Sequence, residues 1–214
     1  MSEIEQIKLL KEFIYNDNVQ KQLQEITNSL KTYNIFNIVG MGEQEIKHSN
    51  FLGWLFELKI DVHGYIFLEE FLRECISVIN EDDNLKNYIY LKQKNNIKIY
   101  REYQNIDLII EDKSNKILVI IENKINASED RGDENREGQL EKYKKIVDNH
   151  FEWKDWQEEN KFFYFLSPDG VLASGTNSNT WKSIDYGVIA KPLEKILKNI
   201  NNGKISLNPD FTLL

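Results

Sequence analysis

Residues Ile117-Leu118-Val119-Ile120-Ile121 form an unbroken apolar run rich in β-branched side chains. A run of this length and composition suits a strand covered on both faces, so its sheet needs a layer of structure on each side. The segments before it also read as strands. Ile97 to Tyr103 alternates apolar with polar residues, as a half-buried strand does, and Ile106 to Glu111 is a second strand. Lys161 to Leu166 gives another buried strand, stopped by the turn sequence Ser167-Pro168-Asp169-Gly170.

Around these strands the hydrophobic period is helical. Apolar residues recur at spacings of three and four over 4–14, 19–30, Gln44 to about Leu58 and Tyr65 to Ile79. Gly40-Met41-Gly42 and His63-Gly64 punctuate that region. Further helices are expected from about Gly138 to Val147 and from Pro192 to Ile200. Asn126 to Glu137 is polar and reads as a mobile loop, and a Ser-, Asn- and Thr-rich loop runs to Trp181. The expected architecture is an α/β sandwich with a mixed sheet, one domain over 1–214. It comprises a helical region over residues 1–92, a sheet core over 96–190 and a closing helix over 191–201.

Composition narrows the class of protein. With 41% hydrophobic residues, 10 Gly and 3 Pro in 214 residues, the chain can fill a core and is not a disordered or fibrous one. Its single cysteine, Cys75, excludes an internal disulfide and a Cys-rich zinc site. The acidic start, Met1-Ser2-Glu3-Ile4-Glu5, lacks the pattern of a signal peptide, and no stretch is long and apolar enough to span a membrane. A cytoplasmic location is expected, and the excess of Lys over Arg with abundant Asn and Ile points to a bacterial or phage source. The net charge of −8 argues against a general polyanion-binding surface. It still permits a local basic track beside a carboxylate-lined metal site. The apolar ending at Phe211-Thr212-Leu213-Leu214 fits a short protein or a piece of a longer one.

The candidate chemistry lies at the end of the apolar hairpin. If Ser114-Asn115 is a two-residue loop, Ile109 faces Ile120, Glu111 faces Leu118 and Asp107 faces Glu122. A register slip of one would send the two acids to opposite faces. Lys124 projects from the same face as Glu122. Two adjacent carboxylates beside apolar strands repel and are desolvated, so a cation must compensate them. Lys124 is one candidate, and a hard divalent ion with oxygen ligands is the other. Such an ion next to a lysine suits phosphodiester hydrolysis. A plain ion pair within Glu-x-Lys is the simpler alternative.

This stretch resembles the PD-(D/E)XK nuclease superfamily, whose core is an acid on one strand and (D/E)-x-K on the next. Ile106 stands where the superfamily name has proline. Gly138-Gln139-Leu140-Glu141-Lys142-Tyr143 is similar to the glutamine helix that often follows, with Gln139 and Tyr143 on one helical face. Glu45-Ile46-Lys47-His48-Ser49-Asn50-Phe51-Leu52, then His63-Gly64, Arg101-Glu102, Ile121-Glu122-Asn123-Lys124 and Tyr164 to Gly170 resemble a bacterial and phage branch of it. Trp181 and Tyr186 fit as well.

The resemblance implies a restriction-endonuclease-like α/β/α core with an N-terminal helical elaboration. It implies catalytic Asp107, Glu122, Lys124 and Gln139, and a Mg²⁺ or Mn²⁺ site at Asp107, Glu122, the Asn123 carbonyl and Glu45. His48, Tyr143 and Arg101 are further candidates. Glu45, His48, Ser49 and Leu52 share one stripe of their helix, with a hydrogen-bonded structural role the simpler expectation for His48. Trp153 and Trp156 are expected to pack under a loop rather than stack on bases. The implied activity is cleavage of nucleic acid, DNA by preference, in phage defence or mobile-element biology, with no membrane partner and a homodimer left open. A non-catalytic module binding nucleic acid or protein is the competing reading. An enzyme acting on another phosphate-containing substrate is the third.

Overall fold

Five strands form one mixed sheet in the order β1-β2-β3-β6-β7. They are β1 (Ile97–Tyr103), β2 (Ile106–Asp112), β3 (Ile117–Asn123), β6 (Lys161–Ser167) and β7 (Trp181–Asp185). Two short strands, β4 (Gly132–Asp133) and β5 (Arg136–Glu137), pair separately. The helices are α1 (Glu45–Glu57), α2 (Ile66–Ile79), α3 (Asp83–Leu91), α4 (Gln139–Asn149) and α5 (Gly187–Asn201). This computed structural model describes residues 44–57, 65–79, 83–94, 96–125, 132–133, 136–174 and 179–204, all within the unit Gln44–Leu214. The helices expected over 4–14 and 19–30, the Gly40–Gly42 break and the His63-Gly64 step lie outside the described residues.

β1, β2 and β3 are antiparallel, whereas β3, β6 and β7 run parallel. The interior strands β2, β3 and β6 are buried at every residue, which is why they read as apolar runs rather than as alternation. The edge strand β1 mixes exposed and half-buried positions. One face of the sheet offers Leu108, Ile110, Val119, Ile121 and Tyr164 to α1, α2, α3 and α5. The other face packs Ile109, Ile120, Phe163 and Phe165 against α4 and the segment carrying Trp153 and Trp156. Each α2 residue that is buried (Phe67, Leu68, Phe71, Leu72 and Cys75) falls on one stripe of that helix. Among the described residues no helix is long and apolar enough to cross a membrane.

The register agrees with the pairing drawn from the hydrophobic pattern: Ile109 faces Ile120 and Glu111 faces Leu118. The loop is longer than two residues, because the ladder stops at Asp112 and Ile117. Asp112 closes the four-residue turn by accepting hydrogen bonds from the backbone N–H and the side-chain amide of Asn115, at 3.1 and 2.9 Å. Lys116 then takes a left-handed φ of 54°.

Four further differences have identifiable causes. The 126–137 stretch contains the β4–β5 pair, held by backbone hydrogen bonds that need no apolar side chains. β7 was hidden inside a polar stretch because only Trp181 and Ile184 are buried along it. α3 is Asn-rich and buries only Leu85, Tyr88 and Ile89 on one side. α5 begins at Gly187, whose N–H is capped by Asp185 Oδ1 at 2.7 Å, so Pro192 lies inside the helix rather than opening it. Trp153 and Trp156 are core residues, as expected.

A buried acid braces the α4 side. Glu111 is fully buried, and its two oxygens accept from Tyr100 Oη and Trp153 Nε1, each at 2.8 Å. Glu111→Leu strands the buried indole donor. It is expected to cost about 2 kcal/mol in chemical denaturation.

Candidate active site

The C-terminal end of β3 and the N-terminal end of β2 meet at one edge of the sheet. The paired register places Asp107 opposite Glu122, one step beyond Leu108–Ile121. The same logic in the neighbouring pair sets Glu102 opposite Asp107, between Arg101–Leu108 and Tyr103–Ile106. Three carboxylates therefore lie in a row across β1, β2 and β3. Glu102 has a left-handed φ of 53°, a strained conformation for a non-glycine residue, and its carboxyl meets that of Asp107.

Each acid is held by specific partners. Asp107 Oδ2 accepts the backbone N–H of Asn123 at 2.7 Å. Glu122 Oε1 accepts from Lys124 Nζ and from Gln139 Nε2, both at 3.0 Å. Its other oxygen, Oε2, is buried without a protein partner. Lys124 is shared with Glu45 Oε2 at 3.3 Å, and Glu45 Oε1 accepts the backbone N–H of Ile125 at 3.1 Å. Glu45 is the first residue of α1, so one helix end pins the strand end that carries the lysine. Ser49, one turn later and fully buried, accepts from Asn123 Nδ2 at 3.3 Å. Tyr186 Oη donates to Asn123 Oδ1 at 2.5 Å from the far side.

The α4 end supplies the other wall. Gln139 is its first residue, so the positive end of the helix dipole faces Glu122. Gln139 Nε2 also donates to Tyr143 Oη at 2.7 Å, and that hydroxyl donates to the carbonyl of Asn105 at 2.5 Å. The expected shared face of Gln139 and Tyr143 is thus realised as a relay from Glu122 to the β1–β2 turn.

The electrostatics follow from burial. Desolvation raises the Asp107 carboxyl above the usual carboxylate range, reinforced by Glu102 and Glu45 and opposed by the Asn123 N–H and Lys124. Desolvation and then Asp107 raise Glu122, against the pull of Lys124. Burial works to depress the Lys124 ammonium, but Glu122, Glu45 and Asp107 together push its pKa up. The lysine stays charged, and once both acids ionise they carry more negative charge than one ammonium offsets.

A divalent ion fits that excess. The donors are all oxygen, as a hard cation requires, and the orphaned Glu122 Oε2 is a buried acceptor lacking a donor. Among the described residues no three His, Cys, Asp or Glu side chains converge as a metal cage. An ion here would accordingly rest on two carboxylates completed by other oxygens, which is common for Mg²⁺.

Asp107, Glu122, Lys124, Asn123, Glu45, Gln139 and Tyr143 come together in this structure. Arg101 does not join them: its guanidinium pairs with Glu57 at 2.9 Å and lies so close over Gly53 that a Cβ there would sit 2.3 Å from Nε. His48 is half-buried on α1, whose bonds to the strand end run through Glu45 and Ser49. Glu102, Ser49 and Tyr186 were not among the expected site residues. Placing Glu102 opposite Asp107 needs the separate β1–β2 register, and its left-handed φ has no signal in the sequence. Ser49 and Tyr186 belong to the family-like motifs, and Ser49 shares the Glu45 stripe, but no spacing in the sequence marks their contacts with Asn123.

No curated protein and no solved structure matches this chain. A family model does match, over residues 33–208, a span that includes every residue of the site. Its nucleases generally use divalent metals, in keeping with the oxygen-only donor set described above. By that match the chain belongs to the PD-(D/E)XK nuclease superfamily.

Proposed function

We propose that the chain is a metal-dependent nuclease that hydrolyses phosphodiester bonds of nucleic acid, DNA in the first instance, with Mg²⁺ or Mn²⁺ as its ion. The observation that carries this reading is Glu122. It gives one oxygen to Lys124 and Gln139 and leaves the other buried, unpaired and next to Asp107. Asp107, Glu122 and the backbone carbonyl of Asn123 would hold the ion, with Glu45 reaching it directly or through water. The ion, when bound, polarises the phosphate and lowers the pKa of a bound water.

The chain's own groups do the rest. Lys124 orients the nucleophilic water and offsets charge that builds on the phosphate, because its Nζ is fixed between Glu122 and Glu45. Gln139 holds the Glu122 carboxylate, and Tyr143 holds Gln139. The Asn123 backbone, clamped through its side chain by Ser49 and Tyr186, keeps its N–H on Asp107. A role in phage defence or mobile-element biology is in keeping with this chemistry.

Calorimetric titration with Mg²⁺ and Mn²⁺ tests the site. Both acids are raised, so an ion must displace protons from them. Affinity is expected to fall about tenfold per pH unit, for each proton displaced, below the raised pKa values. Protons released should be visible as a dependence of the heat on buffer ionisation enthalpy. Absence of binding to the wild type would favour a non-catalytic module on this fold.

A further inference from the structure

We propose that the groove beside the β1–β2 turn receives an unpaired nucleobase of the strand being cut. This inference rests on the nuclease reading and adds the form of substrate. The groove is shallow and open to solvent, spans about 640 Å³ and is lined by Tyr103, Gln104, Lys145, Asn149, His150 and Phe151.

Its most telling residue is Phe151, which leaves 76% of its surface exposed. The ring is not a loose side chain. It lies 4.7 Å from the His150 ring, which in turn stacks on buried Trp153 at 3.8 Å and 22°. Tyr103 Oη bonds His150 Nε2 at 3.0 Å and fixes the imidazole in place. A solvent-facing aromatic ring on so rigid a base is a ready surface for a second π-system, and every nucleobase provides one.

The other walls suit the remainder of a nucleotide. Lys145 is 59% exposed, and its ion pair with Glu141 at 3.4 Å is open to solvent on the lysine side. Such a pair is weak, so a phosphate can compete for the ammonium. Lys142, Lys145 and Asn149 follow one another at helical spacing along α4, two lysines and an amide on one side of an otherwise acidic chain. The amides of Gln104 and Asn149 offer both donors and acceptors at the rim.

The groove also has the right address. Tyr103 and Gln104 directly follow Glu102, whose carboxyl meets Asp107. Asn105, the next residue, accepts the Tyr143 hydroxyl of the relay to Glu122. The turn is tight, with Gln104 and Asn105 at left-handed φ values of 51° and 68°, so groove and carboxylates are held by one rigid hairpin. A base seated on Phe151 cannot remain in a duplex stack. The substrate form is therefore a single strand, a frayed end or an extruded nucleotide.

Fluorescence anisotropy with labelled oligonucleotides, in EDTA to prevent cleavage, tests this. The probes are single-stranded DNA, single-stranded RNA of the same sequence and a blunt DNA duplex. Phe151→Ala is expected to keep the wild-type melting temperature and to weaken single-strand binding about 5- to 100-fold. Duplex binding should change less than twofold, and Phe151→Trp should restore the single-strand affinity. The DNA and RNA arms tell which strand carries the base. Unchanged single-strand affinity in Phe151→Ala, with a wild type that binds and cuts, overturns the groove alone. An equal loss on single strand and duplex overturns it too, since that is a general contact rather than stacking. A wild type that binds no probe and cuts none with Mg²⁺ or Mn²⁺ overturns both readings.

Discussion

Lys124→Met is expected to lower single-turnover cleavage about 10²–10³-fold, roughly 3–4 kcal/mol, while the protein stays folded and still binds metal. The lysine is fixed by two carboxylates, at 3.0 Å from Glu122 and 3.3 Å from Glu45, and its side chain is only 13% exposed. A preorganised donor of this kind acts on charge that appears in the transition state, so its loss shows in rate more than in affinity. Removing it also strips Glu122 of its cation. Desolvation already raises that carboxyl, and Lys124 is what holds it down, so the variant should protonate Glu122 rather than unfold. The stability loss should accordingly grow as pH rises and vanish in mild acid. A purely structural ion pair predicts a different pattern: a lower melting temperature and unchanged cleavage per folded molecule. A phosphate contact in a binding module predicts weaker nucleic-acid binding and no cleavage by the wild type with any divalent ion. Single-turnover kinetics and a melting curve on this one variant separate the three.

How legible these features were in the sequence depended on whether they rest on side-chain pattern or on backbone conformation. The β2–β3 register was readable because a one-residue slip would have turned an entire apolar set outward. That register alone set Asp107 beside Glu122 with Lys124 on the same face, whereas their candidate roles came from the family resemblance. The shared face of Gln139 and Tyr143 was readable from their four-residue spacing, but their relay to Glu122 and the Asn105 carbonyl was not. β7 was not, because a strand that buries only Trp181 and Ile184 has too few apolar positions to show a period. Glu102 escaped for a separate reason: nothing in Arg101-Glu102-Tyr103 announces a left-handed φ at a glutamate. Arg101 was drawn toward the site by its neighbours in sequence, but Gly53 leaves room for it to lie across α1 and reach Glu57. Phe151 shows the limit of composition arguments, since its exposure and its stacking on His150 depend on how the chain leaves α4.

Asp107→Asn is expected to abolish metal-dependent cleavage and at the same time to stabilise the metal-free protein at alkaline pH. The Asp107 carboxyl is raised by burial, with Glu102 and Glu45 adding to the shift. A carboxyl whose folded pKa lies above its unfolded value of about 4 supports folding fully below that value, and the support is lost as pH rises through the folded pKa. At pH 8 the ionised pair of Asp107 and Glu122 therefore opposes folding. Asparagine carries no charge to desolvate. Its amide oxygen can keep the Asn123 N–H that Asp107 accepts at 2.7 Å, and its amide N–H can donate to the Glu102 carboxyl that Asp107 now meets acid to acid. A gain of about 1–2 kcal/mol is expected at pH 8, of the order of one pKa unit or slightly more. That corresponds to a rise of roughly 2–8 °C in melting temperature. The gain should shrink toward nothing near pH 4, where the folded wild type already carries both carboxyls protonated. Melting curves across pH 4–8.5 in EDTA, beside cleavage assays in Mn²⁺, decide it. A variant that melts below wild type at pH 8 contradicts the electrostatic account, and one that cuts as well as wild type removes Asp107 from the metal site.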